Sequence, residues 1–452
     1  MKSVPVKIKD EITVQIDSIS NRGEGVASID GYTVFVPFAA PEDVVLVEII
    51  SVKKNYCRGL IKEIVKAGIR KEPKCPWFGQ CGGCNLQHLD YQEQLRIKTE
   101  TTQTTLNKIG GIDPALVRNT ISTRPWNYRN KMQAPVAIYD GDITAGLYRP
   151  RSNELVPVEE CVIQHNPNNE LTRITAEIAR ECKLAPWTGG KGLLRHIVTR
   201  HSEATGQSLL VLVVAQLDFP GRGQFLQKLR QALPDLETLV LNENPRPANV
   251  ILGDREEIIW GPGYIIDTIG DLQFKISARS FWQVNPQGAQ KIYQQAKDYA
   301  RLTGKETVLD IYCGTGSIGL YLANKAKKII GIESNLSAVQ DARDNARLND
   351  IENAEFHAGK AEDILPKMAK AIDADLVILD PPRKGCAEPL LEAIIQISPR
   401  RIVYVSCNPA TLARDLKLLE GKSYQVQEVQ PVDMFPHTSH VECVTLMSRV
   451  EK

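Results

Sequence analysis

The sequence of 452 residues has no apolar run of membrane-spanning length, and its start, Met1-Lys2-Ser3-Val4-Pro5-Val6-Lys7, contains no signal-peptide core. A cytoplasmic protein without membrane association is expected. Internal repeats and low-complexity segments are also lacking, which excludes solenoids and fibrous arrays. Net charge is nearly absent: 55 Lys and Arg against 54 Asp and Glu leave +1. A uniformly basic protein is thereby excluded, but a total conceals distribution. Cysteine spacing lacks a second Cys-x-x-Cys beyond Cys81-Gly82-Gly83-Cys84, so the pattern is unlike a zinc ribbon. Ten cysteines in a reducing compartment do not read as a disulfide framework. Clustered ones point to metal, and isolated ones to packing or catalysis.

What is present suits a soluble multidomain chain. With 42% apolar and 24% charged residues, the composition is that of ordinary globular proteins, and the length calls for two or three domains. Ile12–Ile16, Tyr32–Pro37, Val44–Ile49 and Cys57–Ile61, with turn signals between them, read as part of a barrel of about five short strands. An OB-like closed barrel over residues 1–66 is the economical fold. Between Lys53 and Lys74, eight Lys or Arg stand against two Glu, and further basic residues follow at Arg124, Arg129, Lys131, Arg149, Arg151, Lys191, Arg195 and Arg200.

Three thiols, Cys75, Cys81 and Cys84, fall within ten residues, with glycines that let the backbone wrap tightly. They suit a metal better than a core. Zinc and iron–sulfur are not separated by spacing alone. Tyr91–Ile109 reads as a helix able to pack on the C-terminal domain, Leu209–Val214 as a buried strand and Gly221–Ala232 as a helix. Residues 67–277 are thus expected to form an α+β central domain around the cysteine cluster.

From 278 to 452 the pattern is regular βα alternation, expected to be an α/β Rossmann-like domain. A strand, Glu306–Tyr312, runs into Cys313-Gly314-Thr315-Gly316-Ser317-Ile318-Gly319. Gly314 and Gly316 let the backbone approach a ligand, and Gly319 permits close helix–strand packing. The next strand ends in Glu333, suited to a ribose hydroxyl pair. Both nicotinamide and S-adenosylmethionine enzymes use these features. A further strand ends in Asp380 and enters Pro381-Pro382-Arg383-Lys384-Gly385, a stiff loop for which hydride transfer has no use. Cys407 follows another strand in Ser406-Cys407-Asn408-Pro409-Ala410-Thr411, and Glu442 closes Phe435-Pro436-His437-Thr438-Ser439-His440-Val441-Glu442.

Taken together, these stretches resemble the RNA uracil-5-methyltransferase family over nearly the whole chain. Arg22-Gly23-Glu24-Gly25-Val26-Ala27 and Val34-Phe35-Val36-Pro37 resemble its TRAM domain, an RNA-binding barrel; the usual proline-glycine-glutamate turn is here Pro41-Glu42-Asp43. The resemblance implies S-adenosylmethionine as methyl donor, with Gln283, Tyr312, Gly314, Gly316, Glu333 and Asp380 around it or the uracil. It implies Cys407 as a nucleophile that adds at uracil carbon-6, because carbon-5 is too poor a nucleophile unaided. Glu442 is the candidate base for the carbon-5 proton. Cys161 matches the fourth ligand position, and a 4Fe-4S cluster is expected over zinc.

Members with both barrel and cysteine cluster typically modify ribosomal RNA, so 23S rRNA is the expected partner and tRNA the alternative. A non-catalytic RNA-binding or ribosome assembly factor is the alternative of another class. No obligate protein partner is evident, and a monomer is expected.

Overall fold

The computed structural model describes residues 4–247, 250–369 and 372–450. Its first sheet holds β1 (Glu11–Gln15), β2 (Ser18–Ile19), β3 (Glu24–Ile29), β4 (Tyr32–Pro37), β5 (Val44–Val52) and β6 (Tyr56–Lys66), in the order β1-β5-β6-β4-β3-β2. The sheet begins and ends on one continuous stretch, 11–19, and this closes the barrel. Alternate residues Val34, Val36, Val45, Val47 and Ile49 point inward and are fully buried. The expected five strands are six, because the glycines around Glu24 read as a turn although β3 begins there. A Cβ at Gly25 would lie 2.8 Å from that of Ala39, so only glycine fits this crowded position. At the departed turn, Glu42 takes the left-handed backbone (φ 66) that glycine would supply. Buried Asp43 compensates by accepting the Ala40 and Gly68 N–H groups and pairing with Arg70.

Next come α1 (Tyr91–Gly110), β7 (Lys131–Tyr139), β8 (Asp142–Ala145), the short pair β9 (Leu147–Tyr148) and β10 (Leu155–Val156), and α2 (Asn166–Glu181). They are followed by β11 (Leu194–His201), β12 (Ser208–Val214), α3 (Arg222–Ala232), β13 (Thr238–Glu243) and β14 (Arg255–Trp260). The central sheet runs β14-β13-β12-β11-β7-β8. Strand β12 is apolar at every position after its serine because both its faces are covered. Leu210, Leu212 and Val214 pack with α2 and α3. Leu209, Val211 and Val213 pack with Ile265, Phe274, Trp282 and Ile292, in the same core as the C-terminal domain.

A hairpin, β15 (Tyr264–Ile269) and β16 (Leu272–Ser277), leads to α4 (Pro286–Ala300), β17 (Thr307–Ile311), α5 (Ser317–Leu322), β18 (Lys328–Glu333) and α6 (Leu336–Leu348). Then come β19 (Ala354–Ala358), α7 (Ala361–Met368), β20 (Leu376–Leu379), α8 (Glu388–Ile397), β21 (Arg401–Ser406), α9 (Pro409–Glu420), β22 (Tyr424–Val432) and β23 (Glu442–Arg449). The sheet order is β19-β18-β17-β20-β21-β23-β22, with only β23 antiparallel to both neighbours. Strand order reverses between β17 and β20, where doubly wound sheets open a ligand crevice.

The expected helix is α1, capped by Asp90 at its start and by left-handed Gly111 at its end. It lies against α9, and Leu106, Ile112 and Val117 join the core of the C-terminal domain. Beyond it the chain runs along the outer edge of β22, where Arg118 and Ile121 donate to Val429 and Pro431 carbonyls. Within α1, Lys98 is buried; its Nζ donates to Asp433 Oδ1 at 2.5 Å and to the Phe435 carbonyl at 3.1 Å. Gln94 Oε1 accepts the His437 N–H at 2.9 Å. Removing one partner of a buried ion pair strands the other charge. Lys98→Met should therefore destabilise by about 3–5 kcal/mol, and the double variant Lys98→Met with Asp433→Leu by much less, as urea unfolding monitored by circular dichroism would show.

Candidate active site

The glycine loop follows β17 directly. Tyr312 (φ 63), Gly314 (φ 55) and Gly316 (φ 78) all take left-handed backbone, which folds the loop back over the strand ends. Glu333 spans the loop. Its Oε2 accepts the Gly314 N–H at 3.3 Å, while Oε1 accepts the Asn335 N–H at 2.7 Å and the Ser334 hydroxyl at 3.1 Å. The Tyr312 hydroxyl donates to Glu362 at 2.9 Å. Gln283 stands in the segment before α4; its carbonyl accepts from Asn130, and no hydrogen bond among the described residues joins its side chain to the glycine loop. α4 does reach the loop elsewhere, through Tyr293 and Ser317, whose hydroxyls are 2.8 Å apart.

Asp310 was not anticipated as a site residue. It sits at the buried end of β17, where Oδ2 accepts the Gly319 N–H at 2.9 Å and Oδ1 has no partner among the described residues. Burial pushes its carboxyl up to about 7, with Asp380 and Glu333 adding to the effect. A Cβ on Gly319 would fall 2.8 Å from Asp310 Oδ2, which explains the third glycine of the loop. The available signal was an acid inside an otherwise apolar strand, Val308-Leu309-Asp310-Ile311.

Cys407 and Glu442 are brought together by strand register. Ser406 pairs with Cys443 across antiparallel β21 and β23, so the adjoining residues, Cys407 and Glu442, face each other at the strand ends. Asp380 ends the parallel neighbour β20, and Asn408, which caps α9, donates to the Arg383 carbonyl at 3.0 Å. Thr411 also donates to that carbonyl, so the proline loop is tied to the cysteine loop. Cys407 is half-buried. Its thiol is pushed up to about 11 by burial and by the charges of Glu442 and Asp380, with Arg383 opposing. Glu442 is pushed up to about 8 by burial and by Asp380. Burial alone pushes Asp380 up to about 7. A thiol facing an acid that exchanges its proton near neutrality can bond to an electron-poor carbon and move a proton beside it. Cys313, Cys386 and Cys443, by contrast, are buried among core side chains.

Cys75, Cys81, Cys84 and Cys161 line one cavity of about 410 Å³. None of the four is in a disulfide. Hydrogen-bond donors face every sulfur: the Trp77 and Phe78 N–H groups at Cys75, Gly83 N–H at Cys81, the Gln87 side chain at Cys84, and the Ile163 and Gln164 N–H groups at Cys161. In the free thiols burial outweighs these donors and pushes all four up, Cys81 to about 11 and Cys84 to about 12. Among the described residues, however, no three His, Cys, Asp or Glu side chains converge on a single-ion site.

The basic residues are less free than their spacing implies. Arg58, Lys62, Arg70, Lys71, Arg124 and Arg149 are all in ion pairs. Arg195 and Arg200 are buried and donate to backbone carbonyls.

A family model described as tRNA (Uracil-5-)-methyltransferase matches residues 264–450, and one described as TRAM domain matches residues 5–62. An uncharacterised RNA methyltransferase of Halalkalibacterium halodurans is 44% identical over 451 residues, covering 99% of this chain and 98% of the relative. The chain belongs to the RNA uracil-5-methyltransferase family. A Clostridium acetobutylicum relative, also an uncharacterised RNA methyltransferase, is 44% identical over 458 residues and covers the full length of both. The crystal structure of Pyrococcus abyssi tRNA (uracil-54, C5)-methyltransferase in complex with S-adenosyl-L-homocysteine is similar, with a TM-score of 0.76 at 27% identity. That similarity covers 96% of this chain and 100% of that one. The present uracil-5-methyltransferase is thus an S-adenosylmethionine-dependent enzyme with an N-terminal TRAM domain and an RNA substrate. The family match begins at β15, the hairpin whose Ile265, Phe274 and Ile276 are packed into the C-terminal core.

Proposed function

We propose that this methyltransferase converts a uridine of 23S rRNA to 5-methyluridine through a covalent Cys407 adduct. The register that sets Cys407 opposite Glu442 carries the reading. Cys407 gives up its proton to solvent, which leaves Glu442 ionised, and its sulfur bonds to carbon-6 of the uracil ring. The ring's electrons move to carbon-5 and its carbonyl, and carbon-5 then takes the methyl group from the sulfonium donor, which leaves as S-adenosylhomocysteine. Glu442 removes the carbon-5 proton, the carbon-5 electrons re-form the ring double bond, and the carbon-6 to sulfur bond breaks. Asp380 and Arg383 border the thiol and orient the uracil edge. Gly314, Gly316 and Glu333 hold the donor at the crevice, with Tyr312 and Gln283 at its margins.

The choice of 23S rRNA is supported by the combination of TRAM barrel and cysteine loop. tRNA is the second reading, favoured by one observation: the Pyrococcus abyssi structure matches 96% of this chain and is named a tRNA enzyme. The four cysteines fit a 4Fe-4S cluster better than zinc. All four are thiol donors, each sulfur faces a hydrogen-bond donor, and they line a roomy cavity without closing on one ion-sized point. When bound, the cluster would tie residues 75–84 to the turn at Cys161.

Cys407→Ala should abolish both turnover and adduct. Glu442→Gln should form the adduct, seen as a denaturant-stable RNA–protein band, and slow turnover about 10²–10⁴-fold. The base acts ionised, so release of the methylated Cys407 adduct by the unaltered enzyme, followed in a single turnover, should speed up with pH and level off above about 8; undiminished turnover by either variant refutes the assignment. Methyl-labelled donor supplied with unmodified rRNA and tRNA in parallel should place labelled 5-methyluridine, read by nucleoside mass spectrometry, in rRNA alone. Label in tRNA alone would keep the chemistry and overturn the substrate. Anaerobically purified protein should contain about four iron atoms and four sulfides per chain, and Cys84→Ser should lose them; zinc at one per chain would overturn the cluster.

A further inference from the structure

The turn between β2 and β3 of the barrel is joined to the catalytic domain through Asn85, the residue after Cys84. Asn85 Nδ2 donates to the Arg22 carbonyl of that turn at 2.9 Å. Its Oδ1 accepts the Ser439 N–H at 2.9 Å, and Nδ2 also donates to the Ser439 hydroxyl at 3.4 Å. The backbone N–H of Asn85 donates to the His437 carbonyl at 3.0 Å. One amide side chain therefore ties a residue 63 positions before it to one 354 positions after it. Both its donor and its acceptor end are engaged, so it cannot turn without breaking a bond.

Close packing holds the amide in that orientation. Gly23 takes left-handed backbone (φ 73), and a Cβ there would fall 2.5 Å from Asn85 Nδ2 and 2.9 Å from its Cγ. The barrel turn thus lays bare backbone against the amide, an approach that only glycine permits. On the other side, Ser439 stands three residues before Glu442, where β23 begins. The 433–441 loop is held at its start by Lys98 on Asp433, in its middle by Gln94 on His437, and near its end by Asn85 on Ser439. Of these three holds, the one at Asn85 is nearest to Glu442 along the chain, and it is in contact with the barrel.

We propose that Asn85 is a positioning residue for Glu442, and that the barrel turn at Arg22-Gly23 seats it. The barrel then acts on the chemistry itself, by setting the reach of the group that removes the carbon-5 proton. Methyl transfer comes before that removal. A displaced Glu442 would leave adduct formation intact and delay only the release of the product. The inference rests on the reading of Glu442 as the base.

The test measures formation and release of the Cys407 adduct separately, on the RNA that accepts the methyl label. Formation is followed on a transcript made with 5-fluorouridine, whose carbon-5 carries no proton to remove, so that the adduct accumulates. Release is followed on the ordinary transcript in a single turnover at saturating RNA. Asn85→Ala should slow release about ten- to hundredfold, with adduct formation, S-adenosylhomocysteine binding and bound metal unchanged. Gly23→Ala, which alters neither the cysteine loop nor the catalytic domain, should slow release as well. Should one variant fold poorly or lose its metal, the other decides. Release at the unaltered rate in a folded variant, or formation slowed as much as release, would overturn the proposal. Glu442→Gln separates the two readings: normal release there removes the base and this inference together, whereas slow release there beside normal release in the Asn85 and Gly23 variants removes the positioning role alone.

Discussion

The buried contact of Lys98 with Asp433 sets the active site. The two residues are 335 positions apart, and the lysine belongs to α1, outside the stretch that matches the methyltransferase family model. In a low-dielectric interior neither charge is tolerable alone, so α1 and the start of the 433–441 loop have one acceptable relation. The Phe435 carbonyl accepts from Lys98, Gln94 accepts the His437 N–H and the Thr123 hydroxyl donates to the Asp433 carbonyl, while Asp433 Oδ2 and His437 Nε2 have no hydrogen-bond partner among the described residues. That loop leads straight into Glu442. The position of the Glu442 carboxyl is therefore fixed partly from outside the domain that carries it. His437 extends the constraint: its carbonyl accepts the Asn85 and Leu86 N–H groups, just beyond the cysteine loop, and its ring stacks on Trp126.

The crevice concentrates acids where few cations oppose them. Asp310, Asp380 and Glu442 are each displaced toward neutral pH by burial, and mutual repulsion adds to the displacement of Asp310 and Glu442. Such a set gives up protons one at a time, so the site holds intermediate protonation states across the physiological range. A donor with a positively charged sulfonium is well matched to those surroundings. Arg383, whose carbonyl accepts from Asn408 and Thr411, is the cation that opposes the upward displacement of Cys407 and Glu442.

Much of this was legible beforehand, for identifiable reasons. The βα periodicity, the glycine loop and the strand-end Asp380, Cys407 and Glu442 are local signals, and parallel strands bring their ends to one crevice whatever the loops do. Asp310 escaped because one acid in an apolar strand looks like an interruption until its place beneath the glycine loop is known. The barrel's β3 was missed because Gly23 and Gly25 speak for a turn, and only contact with Ala39 shows why the strand needs Gly25. The basic residues misled in the opposite direction. Lys and Arg counts show where charge is abundant, but partners such as Glu24 for Arg58 and Asp43 for Arg70 lie far along the chain and are invisible to spacing. Lys98 could not be singled out at all, since a lysine in a helix is normally solvated.

Strand β12 has a mechanical consequence. Its odd-numbered residues belong to the core of the catalytic domain and its even-numbered ones to the core beneath α2 and α3, so no watery seam divides the two layers. Swinging one against the other would expose fully buried valines and leucines at about 0.8 kcal/mol for every CH₂ uncovered. The body behind the crevice is consequently stiff, and the conformational work of catalysis falls on the nucleic acid. A helix or stacked loop must surrender its uridine to the pocket, and RNAs that unstack readily at the target are selected by their own pliability as much as by contacts with the enzyme.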